Sequence, residues 1–110
     1  MNIAKDLHFS DDKPAVLPVR RSARRNVTAI GLKKNQVLKE HKTSFETTMI
    51  VLQGKLHFVI GEEIWELQAM DVFEVPCDIY HKVVAKEATV LQIKTATSSN
   101  KGLPISPGKY

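Results

Sequence analysis

Two short stretches hold most of the chemistry available to this chain. EHKTSFETTMIVLQGKLHF, from Glu40 to Phe58, sets His41 ahead of a Thr/Glu cluster and an apolar run closed by Gly54. PCDIYH places Cys77 four residues before His81, with Tyr80 beside that histidine. An imidazole can ligate a divalent metal, exchange hydrogen bonds near neutrality, and hold an anion once protonated. A thiol becomes a nucleophile only when a base activates it. Cys77 therefore reads first as a small structural residue near a pocket mouth. Tyr80 could donate a proton, but strand alternation turns it away from His81, and it reads as packing. His8 reads as part of a surface arm and His57 as a strand face. Trp65, in EIWEL, could stack on a ligand; an indole so placed more often fills a core or a subunit interface, and that reading is adopted.

The elements that must position these residues are short strands. VTAIGL, TMIVLQ, KLHFVI, EIWELQ, DVFEVP, HKVVA and TVLQIK are rich in Val, Ile, Thr and aromatics, the residues that pleated strands favour. Turn signals separate them: Lys34-Asn35, Gln53-Gly54-Lys55, Gly61-Glu62, Met70-Asp71 and Pro76-Cys77-Asp78. Nothing sustains a helical period for three turns. Regular short strands with tight turns predict an all-β sandwich or barrel, in which closure removes exposed edges. The predicted organisation is an N-terminal arm over residues 1–26 with one strand at most, a barrel over 27–96, and an extended C-terminal tail over 97–110.

A chain of 110 residues fits one domain. Its core is modest, so a closed barrel or a dimer interface would help it. No apolar run approaches the ~20 residues that a membrane helix needs. MNIAKDLHFSDD has early acids and no apolar segment of the secretory kind. The single cysteine suits a reducing compartment. These features predict a soluble cytoplasmic protein. The formal charge of +4 lies at the two ends of the chain. RRSARR, Arg20 to Arg25, is the dense basic cluster. Guanidinium groups suit phosphate, but without neighbouring aromatics the cluster reads as a charged arm or edge strand. Nucleic acid is not an expected partner.

The segment from Val27 to Thr95, roughly two thirds of the chain, resembles a small single-domain cupin of the RmlC-like kind. Cupins show G-x5-H-x-H-x3-E-x6-G followed by G-x5-P-x-G-x2-H-x3-N. Here those positions hold Asn35, His41, Thr43, Thr47 and Gly54, then Met70, Pro76, Asp78, His81 and Ala85. His41, Gly54, Pro76 and His81 match, and the spacing holds without a gap. The resemblance implies a jelly-roll, double-stranded β-barrel. Motif glycines serve turns of positive φ. Asn35 and Asp78 tolerate such turns, whereas Met70 does not, so its turn must differ or carry strain.

The resemblance also implies a metal site, in which two histidines and a glutamate of the first motif join a histidine of the second. Thr43 replaces one imidazole and Thr47 the carboxylate. Hydroxyls are weak ligands for first-row divalent ions. His41 and His81 would hold zinc, iron or nickel loosely unless a third group helped. Glu46 reaches the site only through a bulge, and Asp78, Cys77 and His57 have no supporting spacing.

The expected pocket is His41, Thr43, Thr47, Met49, Phe58, Phe73 and His81, with Val51 also inward-facing and apolar residues dominating. The functional expectation is a barrel that binds a small molecule, with an incomplete two-histidine site. The alternative is a metal-dependent oxygenase, isomerase or decarboxylase acting on a small organic acid or sugar. A homodimer is expected, because the strand from Gly54 to Ile60 is apolar enough to be covered on both faces.

Overall fold

The computed structural model describes residues 1–96, with Glu40 and His41 described by their backbone alone. The tail expected over 97–110 lies outside the described residues. The order is α1 (Ile3–Asp6), β1 (Ala15–Arg21), β2 (Arg25–Leu32), β3 (Val37–His41) and β4 (Thr47–Gln53). Then follow β5 (Lys55–Ile60), β6 (Glu63–Gln68), β7 (Val72–Val75), β8 (His81–Ala85) and β9 (Thr89–Ala96). The strand runs read from sequence appear within a residue or two of their predicted bounds. β1, foreseen only as one strand at most within the arm, β3 and the single helical turn α1 were not among them. VLKEH is too polar to read as a strand, and α1 is one turn stapled by the Asn2 side chain accepting from the Lys5 N–H.

Two antiparallel sheets face each other. One has the order β1-β2-β9-β4-β7 and the other β3-β8-β5-β6. This is the all-β, jelly-roll architecture that the strand spacing and motif spacing predict. Alternation sets the inner faces: Met49 and Val51 on β4, Leu56, Phe58 and Ile60 on β5, Val83 on β8 and Leu91 on β9 are buried between the sheets. Fully burying such a side chain contributes about 1.5–3 kcal/mol.

The N-terminal stretch is part of this structure. β1 pairs with β2 along most of its length. Leu7 and Phe9 lie over the outer side of β2, where a Cβ added to Gly31 would stand 3.0 Å from Leu7 and 3.1 Å from Phe9. The ion pair of Lys33 with Asp11, and the Gln36 side chain donating to the Ser10 carbonyl at 2.7 Å, fasten the same stretch. The Lys33 ammonium holds the Asp11 carboxyl below its ordinary value. RRSARR covers the end of β1, an edge strand, and the hairpin turn into β2. There the Ser22 hydroxyl accepts from the Arg25 N–H at 3.1 Å.

Four turns carry a left-handed residue at the motif positions. Gly54 has φ 95°, Asn35 φ 73°, Met70 φ 79° and Asp78 φ 60°. The backbone thus keeps the turn geometry at all four positions although glycine occupies one of them. Among the described residues no helix is long and apolar enough to cross a membrane.

Candidate functional site

The end of the barrel where β3 finishes and β8 begins is closed by two loops, residues 42–46 and 76–80. They are tied together: the Asp78 N–H donates to the Thr43 carbonyl at 2.7 Å, and the Ser44 hydroxyl donates to Asp78 Oδ1 at 3.2 Å. Beneath them lies a cavity of about 310 Å³ between the sheets. Its apolar wall is Leu38, Met49, Phe58, Val75, Val83 and Ile93; its polar lining is Lys42, Thr43, Thr47, His81 and Thr95.

Strand pairing explains which residues meet. Thr47 stands opposite both Thr95 and Val75, and Met49 opposite both Ile93 and Phe73, so these side chains share the inner face. A register shift between Leu38 and His41 re-phases β3 and sets the His41 backbone directly across from His81. Sequence spacing points to both histidines, and the ladder makes them cross-strand neighbours. The side chain of His41 lies outside the described structure.

His81 is buried at 5 % exposure. Its Nδ1 lies 3.2 Å from the Ile79 carbonyl, which can only accept, so Nδ1 carries the hydrogen. Its ring lies 5.4 Å from that of Phe58, which in turn lies 4.7 Å from Phe73. The threonines are committed in part. The Thr47 hydroxyl donates to the Phe45 carbonyl at 3.1 Å and lies 3.4 Å from the Thr95 hydroxyl. The Thr43 hydroxyl accepts from the Phe45 N–H at 3.2 Å.

Of the expected pocket residues, Thr43, Thr47, Met49, Phe58 and His81 line the one cavity. Phe73 is not in its lining; it packs behind Phe58 and reaches the Trp65 ring at 5.7 Å. Val51 is buried deeper in the core. Trp65 covers Phe73 at the edge strand and is 47 % exposed, so it is neither interior nor wholly free. Tyr80 is not a packing residue: it is exposed, and its ring carries the Lys42 ammonium 5.2 Å from its centroid. Leu38, Lys42, Val75, Val83, Ile93 and Thr95 went unread in the sequence. Alternation from a known inner residue would have found Ile93 and Thr95 once the pairing of β9 with β4 was known. Lys42 had no signal beyond standing next to His41.

Among the described residues, the donors at this site do not make up a divalent-metal ligand set. Thr47 stands where a ligating carboxylate would be needed, and its hydrogen goes to the Phe45 carbonyl. The other candidates stand elsewhere. Glu46 and Cys77 line a separate groove with Arg24, Arg25 and Lys94. Asp78 is exposed and accepts from Ser44. His57 lies on the outer face of β5 beside Glu66 at 3.3 Å. Among the described residues no three His, Cys, Asp or Glu side chains group as a metal site would require.

Solved structures share this fold. An RmlC-like cupin protein from Desulfovibrio desulfuricans aligns with TM-score 0.80 at 22 % identity, covering 87 % of this chain and 93 % of that one. A cupin superfamily protein from Desulfitobacterium hafniense DCB-2 aligns with TM-score 0.81 at 16 % identity, covering 89 % and 90 %. A conserved protein with a double-stranded beta-helix domain from Klebsiella pneumoniae aligns with TM-score 0.80 at 16 % identity, covering 93 % and 91 %. No family model matches the chain, and no curated protein matches it in sequence. The chain has the RmlC-like cupin fold.

Proposed function

We propose that this cupin-fold chain is a small-molecule binding protein whose ligand sits in the cavity between Thr47, Phe58 and His81. The observation that carries this reading is the cavity itself: a largely apolar wall, a short polar arc and two loops tied across one end. That is the ordinary form of a ligand site, and about 310 Å³ stands at the small end of the usual range. Binding here needs no metal. A metal-dependent reaction is not favoured, because the carboxylate and second first-motif imidazole positions are threonines already engaged in local hydrogen bonds. The fold alone selects no chemistry.

The assembly we propose is a homodimer. The outer face of the four-stranded sheet supports it, with Val37 and Ile64 exposed and Val59 half-buried. A cytoplasmic location is part of the same reading, supported by the single, exposed thiol of Cys77.

A fragment screen by NMR tests the binding function. Hits should perturb Thr43, Thr47, His81 and Thr95. Val83→Phe and, as a milder filler, Thr95→Leu should remove those perturbations while leaving strand dispersion intact. Hits that bind both folded variants as well as the parent protein would place binding elsewhere and defeat this reading.

A further inference from the structure

The rim side of the polar arc can donate: Lys42, Thr43 and Thr95 have hydrogens to offer there, while Thr47 is engaged with the Phe45 carbonyl and His81 gives its Nδ1 hydrogen to the Ile79 carbonyl. The Thr47 hydroxyl donates to the Phe45 carbonyl at 3.1 Å and, more weakly, to the Thr95 oxygen at 3.4 Å; Thr95 accepts there and keeps its own hydrogen to donate. Thr43 accepts from the Phe45 N–H through its oxygen, which leaves its hydrogen to donate. Lys42 brings three N–H groups and a full positive charge to the lining. No described lining residue is acidic. The acids of the two loops are turned to other uses, since Asp78 accepts from Ser44 and Glu46 lines the separate groove.

Lys42 is also held in place. Its ammonium lies over the Tyr80 ring, 5.2 Å from the centroid, so a residue of one loop rests on a residue of the other. Among the described residues it makes no ion pair, unlike Lys33, which pairs with Asp11. A cation at the rim of an apolar cavity, with no counter-charge among the described residues, favours an anionic occupant, because the low-dielectric wall strengthens attraction between unlike charges.

Resting on the reading of this cavity as the binding site, the geometry points to a small carboxylate with a compact apolar body as the ligand, its charge met by Lys42 and its oxygens by Thr43 and Thr95. One cation matches one negative charge. A phosphate dianion would call for guanidinium forks or a nest of backbone N–H groups, and the described lining has neither. The volume corresponds to roughly ten waters of liquid, which suits an acid of about that many non-hydrogen atoms. The apolar body would lie against Met49, Phe58 and Val83, away from the rim.

Calorimetry with matched probes decides it. Benzoate and hexanoate are titrated against benzamide and hexanamide, which have the same shape without the charge. With the parent protein the acids should bind at least about tenfold more tightly than the amides. Lys42→Gln should erase that preference with little change for the amides, and Thr95→Val should weaken the acids more than the amides, whose carbonyl oxygen is the weaker acceptor. Lys42 is exposed, so its variant is not expected to disturb folding. Amides that bind as well as acids, or a preference that survives Lys42→Gln, would overturn the carboxylate assignment while the binding function stands. Absence of binding by all the probes, together with fragment hits that avoid the cavity, would overturn both.

Discussion

The Met70 N–H donates to the Val51 carbonyl at 2.7 Å, and the Val51 N–H donates to the Asp71 carbonyl at 2.9 Å. This reciprocal pair locks the β6–β7 turn onto β4 and holds Met70 at φ 79°. A left-handed conformation costs an ordinary L-residue roughly 1–2 kcal/mol. The Met70 side chain recovers little of that, being 80 % exposed. Met70→Gly should therefore stabilise the fold. Relief of strain, less the ~0.4–1 kcal/mol of added freedom in the unfolded chain, leaves a gain of about 0.5–1 kcal/mol. Thermal unfolding should show this as a rise of ~2–6 °C in Tm. A fall in Tm would mean that the methionine side chain does something the packing does not show.

Gly54 is the opposite case. A Cβ there would stand 2.3 Å from the Ala88 carbonyl oxygen and 2.7 Å from the Thr89 Cα, with φ at 95°. Backbone on the far side has no easy retreat. Gly54→Ala should cost upwards of ~3 kcal/mol, combining strain with a forced separation of the β4–β5 turn from the β8–β9 turn. Chemical denaturation gives the figure directly. A loss below ~1 kcal/mol would show that the turn relaxes far more than a packed barrel should.

The two threonines at the ligand positions make a test by gain of function. Thr43→His with Thr47→Glu supplies the imidazole and carboxylate that the motif otherwise has, beside His41 and His81. The double variant should take up zinc or nickel near stoichiometrically. The parent protein and the single variants should hold it at least about tenfold more weakly, a difference of ~1.4 kcal/mol or more. Elemental analysis after dialysis reads the result. Equal retention by the parent would contradict the account of its donors given above.

The proposed dimer can be broken from outside the barrel. Ile64 is 63 % exposed on the edge strand β6, and Val59, its cross-strand partner, is half-buried. If this face is the interface, light scattering should find the parent at twice the 12.4 kDa chain mass, and Ile64→Lys or Val59→Lys at a single chain mass. A lysine on a covered apolar face must lose its hydration without a partner, which costs several kcal/mol. Dimers that survive both substitutions would move the interface elsewhere.

What the sequence determined by itself is local. Alternating β-branched residues between turn signals specify strands wherever one face is buried, and those strands follow the text of the chain closely. Motif spacing marks Thr43, Thr47 and His81 before any strand is placed, and it marks Met70 as a residue in the wrong turn for its type. Both follow from short-range rules, since side-chain period and positive φ are properties of a few neighbouring residues.

The tertiary structure decided everything that depends on pairing across the chain. Thr95 and Ile93 join the site because β9 lies beside β4, more than forty residues away in sequence. β3 escaped the sequence reading because VLKEH lacks the apolar density of a strand, and only pairing with β8 makes it one. The bulge that brings the His41 backbone opposite His81 is likewise a property of that ladder. Lys42 acquires its place at the rim from Tyr80, on a loop with which it shares no local pattern. Two loops tied across a barrel end bring a cation and three hydroxyls around one apolar space. No window of the sequence contains that arrangement, because it exists only once the two sheets have closed.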